Sequence, residues 1–250
     1  MEYFLANWKM YPTVDEALER VETIQDGLRQ RVASGADVPH VIVCPPFVAL
    51  APLRAVVDDQ LVGLGAQTCH WEQEGSYTGE VSPRMLHGLV RYVMVGHSER
   101  RASGESDEQV ARKVAAVACN GLVPILFAGE DDPDDDALGE TERRLRQGLA
   151  RIDVGEKEVI VVYEPSWAIG ADAAAPAEHV RRAVEHVKDV LRGLGATAPR
   201  VIYGGTVNDD NIDELAGVEV LDGVGATRGS LDTEGFFRMV DRVAPPPAGR

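Results

Sequence analysis

Short apolar, β-branched runs alternate with helical patterns along the whole chain, and this alternation narrows the possible folds more than anything else in it. The runs lie at 3–6 (YFLA), 41–44 (VIVC), 61–66 (LVGLGA), 92–95 (YVMV), 123–127 (VPILF), 159–163 (VIVVY), 200–203 (RVIY) and 220–224 (VLDGV). Several are almost continuously apolar, as strands buried on both faces must be. The clearest helical pattern is Val180, Ala183, Val184, Val187, Val190, Leu191 and Leu194, one face at i, i+3, i+4 spacing. Others cover 15–28, 106–118, 141–152 and 233–243. Strand–helix alternation without a break in composition predicts a parallel sheet in one α/β domain. Eight such units in 250 residues fit a closed (β/α)8 barrel. An open doubly wound sheet is the alternative. No G-x-G-x-x-G follows the first run and no G-x-x-x-x-G-K-[ST] occurs, so the common nucleotide fingerprints are missing. The expected domain covers 1–244, with 245–250 a disordered tail. The acidic run at 131–136 (DDPDDD) reads as a solvated surface loop.

Charge and cysteine content exclude several function classes. The formal net charge is -16, from 25 basic and 41 acidic side chains. Polyphosphate backbones and anionic membrane surfaces reward clustered Lys and Arg, so neither nucleic acid nor membrane is expected as a partner. No stretch approaches the length of an apolar membrane span, and the N-terminus has no basic region followed by an apolar one. Cys44, Cys69 and Cys119 form no paired motif, which fits a reducing cytoplasm better than a disulfide framework.

In a barrel of this kind, reactive groups belong at the C-terminal ends of the strands. Those ends carry Lys9, His97 and Glu164 after runs one, four and six. Gly204-Gly205-Thr206 and Gly225-Ala226-Thr227-Arg228-Gly229 follow runs seven and eight, where glycine-rich backbone can cradle a phosphate. A carboxylate, an imidazole and an ammonium on one rim suit proton abstraction beside a carbonyl, with the oxyanion stabilised by the two nitrogen groups. Such proton shuttling needs no metal and no redox cofactor, and neither H-x-H nor H-E-x-x-H metal spacing is present. Taken singly, each residue has a plainer reading: a solvated Lys, a structural His, a Glu that ends a strand before proline. Their shared position carries the functional one.

These residues sit in NWKM (7–10), YTGEVSPRML (77–86), VGHSERR (95–101), YEPSWAIG (163–170) and YGGTVNDDN (203–211). With these motifs the chain resembles the triosephosphate isomerase family, from the first strand to the seventh. The resemblance implies a TIM barrel that interconverts glyceraldehyde 3-phosphate and dihydroxyacetone phosphate in glycolysis and gluconeogenesis. It implies Glu164 as the shuttling base, His97 as the neutral electrophile with its pKa lowered by a helix N-terminus beginning near Ser98, and Lys9 as the positive charge on the substrate oxygens. Asn7 then orients Lys9 and the substrate, and Ser98 holds the Glu164 carboxylate while the lid is open. Glu99 matches an acid beside Lys9 and His97, with either a structural or a kinetic role. Residues 165–176 form the lid, with Gly170 and Thr206 donating to the phosphate and Tyr203 latching the closed lid. The long loop at 69–83 becomes the arm of a homodimer, with Thr78 reaching the neighbour's site.

Two departures from the family pattern stand out. The lid continues IGADAAAP (169–176), one residue shorter than usual and without a second glycine at its tip. Thr227 and Arg228 occupy the place of a glycine pair whose amides hold phosphate. Arg228 either compensates with a charge-assisted contact or points outward. Because both departures touch phosphate and lid, an isomerase of a four-carbon ketose phosphate, such as erythrulose phosphate, is an alternative. A non-catalytic barrel kept for interaction is another.

Overall fold

The computed structural model describes residues 1–133, 137–171 and 173–244. Eight parallel strands close into a barrel in chain order. They are β1 (Tyr3–Asn7), β2 (His40–Cys44), β3 (Val62–Ala66), β4 (Tyr92–Val95), β5 (Val123–Ala128), β6 (Ile160–Tyr163), β7 (Arg200–Tyr203) and β8 (Gly223–Ala226). Closure is made by β1 against β8, with Tyr3 opposite Gly223 and Ala6 opposite Ala226. The helices are α1 (Val14–Ala33), α2 (Phe47–Arg54), α3 (Pro83–Leu86), α4 (Ser98–Ala102), α5 (Asp107–Cys119), α6 (Ala137–Leu149), α7 (Ala177–Gly193), α8 (Ile212–Ala216) and α9 (Thr233–Val243).

Local chemistry sets the helix starts. Thr13 and Glu16 form a capping box on α1, and Ser106 and Gln109 form one on α5. Asp232 accepts the Gly235 amide at 2.8 Å at the start of α9. Each such cap satisfies amides that a helix start leaves unpaired and contributes about 1 kcal/mol.

Strand alternation divides the core in two. Inward side chains, among them Tyr3, Leu5, Ile42, Met94, Phe127, Val162 and Ile202, fill the barrel. Outward ones, such as Phe4, Val41, Val93, Val161 and Val201, pack beneath the helices. A Leu5→Ala or Ile202→Ala cavity at these fully enclosed positions costs about 2–5 kcal/mol. The same parity carries Asn7 and Glu164 to the inner rim, one step beyond Leu5 and Val162.

Most predicted elements lie within a few residues of the observed ones. The eighth strand is shifted: it runs over Gly223–Ala226, overlapping the predicted 220–224, and Val220 and Leu221 belong to the turn before it. Asp222 holds that turn by accepting the Val201 amide at 2.6 Å and the Lys188 ammonium at 2.9 Å. The strand has to begin with glycine, because a Cβ on Gly223 would stand 2.3 Å from the Tyr3 carbonyl oxygen. The predicted helix at 141–152 runs instead over Ala137–Leu149. Four short helices, α2, α3, α4 and α8, have no amphipathic pattern long enough to read.

Within the acidic run, Asp131 is not simply solvated: it accepts from Arg144 at 2.7 Å and from the Ser166 hydroxyl at 2.8 Å. Residues 134–136 of that run, Asp172 of the lid and the tail at 245–250 lie outside the described residues. No helix among the described residues is long and apolar enough to cross a membrane.

Candidate active site

The rim of the barrel brings Lys9, His97 and Glu164 to one cavity of about 480 Å³, whose opposite wall carries Gly170, Thr206 and Arg228. Lys9 follows β1 with a φ of 47°, the only non-glycine residue in the left-handed region among those described. The Asn7 side chain stabilises that turn by accepting the Lys9 amide at 3.0 Å. The Gln67 carboxamide closes it from the other side, donating to the Lys9 carbonyl at 2.8 Å and to the Cys44 carbonyl at 2.9 Å. The Lys9 ammonium meets Glu99 Oε1 at 2.5 Å.

His97 caps α4, and its Nδ1 accepts the Glu99 amide at 3.1 Å. An imidazole that accepts at Nδ1 carries its proton on Nε2. That Nε2 faces Glu164 Oε1 at 3.2 Å. Burial, reinforced by the Lys9 charge, lowers the His97 pKa to about 4. The ring is therefore neutral at physiological pH and donates without being charged.

Glu164 follows β6, and its side chain is only 4% exposed. Burial pushes its pKa up to about 8, against the pull of the Ser98 amide. That amide donates to Glu164 Oε2 at 2.8 Å. The Glu164–Pro165 backbone can pass close to the loop after β5 because Gly129 has no side chain: a Cβ there would lie 2.0 Å from the Glu164 backbone carbonyl oxygen.

The lid-side residues are arranged differently. Gly170 has a φ of 70° and lines the cavity. The Thr206 hydroxyl donates to the Ala168 carbonyl at 2.9 Å, and its amide reaches the same oxygen at 3.2 Å. Both Thr206 donors thus face the lid rather than the cavity. The Tyr203 hydroxyl accepts the Ala175 amide at 2.9 Å. The contacts that the resemblance assigns to an open lid (Ser98 with Glu164) and to a latched one (Tyr203 with the lid) coexist here. Thr227 and Arg228 both line the cavity, and the exposed Arg228 side chain makes no hydrogen bond or ion pair to the described residues. Thr78 stands on the exposed stretch of the loop after β3, and within one chain it is not brought to the cavity.

This arrangement can remove a proton from a carbon beside a carbonyl, polarise that carbonyl with two donors and hold an anionic group at the far wall. The family profile described as triosephosphate isomerase matches residues 2–243. The chain belongs to the triosephosphate isomerase family. A "Triosephosphate isomerase" of Chloroflexus aurantiacus is 42% identical over 246 residues, covering 94% of this chain and 96% of the relative. One from Trichodesmium erythraeum is 39% identical over 239 residues, covering 94% and 96%. One from Roseiflexus is 41% identical over 248 residues, covering 94% of each. Family membership supports an isomerase and does not favour a barrel kept only for interaction.

Reading strand ends one at a time misses a group of five. Glu130 lies just beyond β5, is fully buried, and gathers donors from Tyr163, Trp167, Thr141 and His179. Its place just beyond the fifth strand was the available signal.

Proposed function

We propose that this chain is a triose-phosphate isomerase that interconverts glyceraldehyde 3-phosphate and dihydroxyacetone phosphate. The observation that carries the reading is the convergence of a buried carboxylate, a neutral Nε2–H and an ammonium on one rim cavity.

Glu164 takes the proton from the carbon beside the carbonyl, and the electrons of that C–H bond become the enediolate. His97 Nε2 and Lys9 Nζ donate to the developing oxyanion. Donors fixed before the reaction are worth more than water here because they need no reorganisation. The hydroxyl proton passes from one enediolate oxygen to the other beside His97 Nε2, and the Glu164 carboxylic acid returns its proton to the adjacent carbon. A neutral imidazole suits this role, because an imidazolium of low pKa would surrender its proton outright rather than share it. The lid excludes water, which protects the enediolate from losing its phosphate.

The phosphate sits against Gly170, Thr206, Thr227 and Arg228. Thr206 exchanges its bond to the Ala168 carbonyl for the phosphate when substrate arrives, so binding loosens one tie between the lid and the β7 loop. Arg228 supplies charge where the family's paired glycine amides are replaced. The three-carbon substrate is favoured over erythrulose phosphate, since the relatives above carry the triose name. Side-by-side turnover of glyceraldehyde 3-phosphate and erythrulose 4-phosphate tests this: preference for the four-carbon sugar would overturn it.

The working form is a homodimer in the cytoplasm, joined through the loop at 69–83. Support comes from large apolar side chains left exposed near that loop and the first two βα loops: Met10 (93%), Val48 (71%), Met85 (61%) and Tyr77 (45%). Grouped exposure of this kind marks a surface meant to be covered.

A further inference from the structure

The lid begins at Pro165, directly after Glu164, and ends where α7 begins. Three donors converge on a single oxygen behind it. Glu130 Oε1 receives the Tyr163 hydroxyl at 2.6 Å, His179 Nε2 at 3.0 Å and Trp167 Nε1 at 3.2 Å. Glu130 Oε2 takes the Thr141 hydroxyl at 2.8 Å. Burial opposes the charge, but these donors more than offset it and hold the carboxyl below its ordinary range. The Glu130 backbone joins in: its carbonyl accepts the Ser166 amide at 2.9 Å.

The placement of the donors in the chain matters. Ser166 and Trp167 are the first turn of the lid. His179 is in the first turn of α7, just past the lid's other end. His179 Nε2 also lies 2.9 Å from the Tyr163 hydroxyl oxygen. With Tyr163 donating to Glu130, that nitrogen must carry a proton, since a bare lone pair facing an ionised carboxylate would be repelled. The imidazole further stands edge-on against the Trp167 indole, with ring centroids 5.4 Å apart and planes at 81°. It therefore both shares the indole's acceptor and walls the indole's side.

We infer that His179 is a positioning residue for catalysis: through Glu130 Oε1 it ties the two ends of the lid together and sets the hinge that carries Glu164. Glu164 must leave the Ser98 amide to reach a substrate, and only Pro165 and Ser166 separate it from the indole. A hinge held at both ends by one carboxylate swings as a unit. Without His179, Oε1 loses one donor and Trp167 loses one wall, so the hinge samples orientations from which Glu164 reaches the substrate poorly. The cost falls on turnover more than on binding, because no group of this cluster lines the cavity.

The inference rests on the isomerase reading and is tested separately from it. Kinetics of wild type, His179→Ala, His179→Gln, Trp167→Phe and the His179→Ala/Trp167→Phe pair are measured with glyceraldehyde 3-phosphate, with circular dichroism to show that each is folded. His179→Ala is expected to lower kcat about five- to tenfold with KM within about twofold, as loss of one donor to a charged group implies. His179→Gln, which keeps an N–H donor, recovers kcat to within about twofold of wild type. The paired variant is no slower than Trp167→Phe alone, because the two act through one element. A wild type without isomerase activity sinks the functional reading. An active wild type with His179→Ala equally fast, with His179→Gln as slow as His179→Ala, or with losses that multiply in the paired variant, overturns the role of His179 alone.

Discussion

His97 Nε2 lies 3.2 Å from Glu164 Oε1, while the same ring's Nδ1 accepts the Glu99 amide at 3.1 Å. The second contact fixes the tautomer that makes the first one a donation. One carboxylate thus accepts from the ring that polarises the substrate carbonyl and from the Ser98 amide at 2.8 Å. On the proposed mechanism, a substrate carbonyl oxygen replaces Glu164 as acceptor of the Nε2–H bond and Glu164 turns to the carbon.

The pH dependence follows from the two shifts, which run in opposite directions. Glu164 works ionised, and burial raises its pKa to about 8. Activity of the free enzyme, kcat/KM, therefore falls as pH drops below that value, well above the ordinary carboxylate range. His97 works neutral, and burial lowers its pKa to about 4, so it adds no second limb near neutrality. A kcat/KM profile from pH 5 to 10, with the His97 ring carbons followed by NMR, checks both. A limb near pH 4.5, or a ring that protonates near pH 6.5, contradicts the assignment.

Lys9 combines a charge with a left-handed backbone, φ 47°. Lys9→Gly separates the two. Glycine adopts that φ without strain, so the variant should melt no lower than wild type. It should still lose about 10²- to 10³-fold in kcat/KM, the usual cost of removing one fixed oxyanion donor. A Lys9→Gly enzyme of near-normal activity would show that the ammonium is not needed.

Arg228 lines the cavity without an ion pair to the described residues. If it takes the substrate phosphate, Arg228→Ala raises KM about tenfold, a typical loss for a charge-assisted contact, and weakens competitive inhibition by inorganic phosphate to the same degree. An unchanged inhibition constant means that the side chain points away.

Thr78 stands on an exposed loop stretch whose neighbour, Tyr77, is 45% exposed. Placing an arginine at Thr78 puts a charge where a second copy of the chain is expected to close. Light scattering should then report a monomer for Thr78→Arg and a dimer for wild type, with activity lost alongside. A fully active wild-type monomer would end the dimer reading.

The strands, and the meeting of Lys9, His97 and Glu164 at one cavity, were legible in the sequence because burial on both faces leaves near-continuous apolar runs and polar groups follow directly at their ends. The bounds of β8 were read a few residues early because Val220 and Leu221 look like a strand, whereas the barrel needs glycine opposite Tyr3. α4, a five-residue helix capped by His97, has no periodicity of its own, and its start near Ser98 was legible only through the family resemblance. The resemblance makes Thr206 a phosphate donor, and that its hydroxyl and amide meet the Ala168 carbonyl without substrate is a matter of lid geometry that no local pattern encodes. The Glu130 cluster joins residues from β5, β6, the lid, α6 and α7, and only the closed barrel brings these together.

The central claim is that Glu164 carries the proton between adjacent carbons of a triose phosphate. Isomerisation of glyceraldehyde 3-phosphate in D2O, followed by proton NMR for wild type and Glu164→Gln, tests it directly. Wild type is predicted to form dihydroxyacetone phosphate carrying solvent deuterium at the carbon that receives the proton, and Glu164→Gln to be about 10²- to 10⁴-fold slower, the usual loss with a general base. Isomerisation by Glu164→Gln at the wild-type rate, or a wild type that leaves the triose phosphate unchanged, would contradict it.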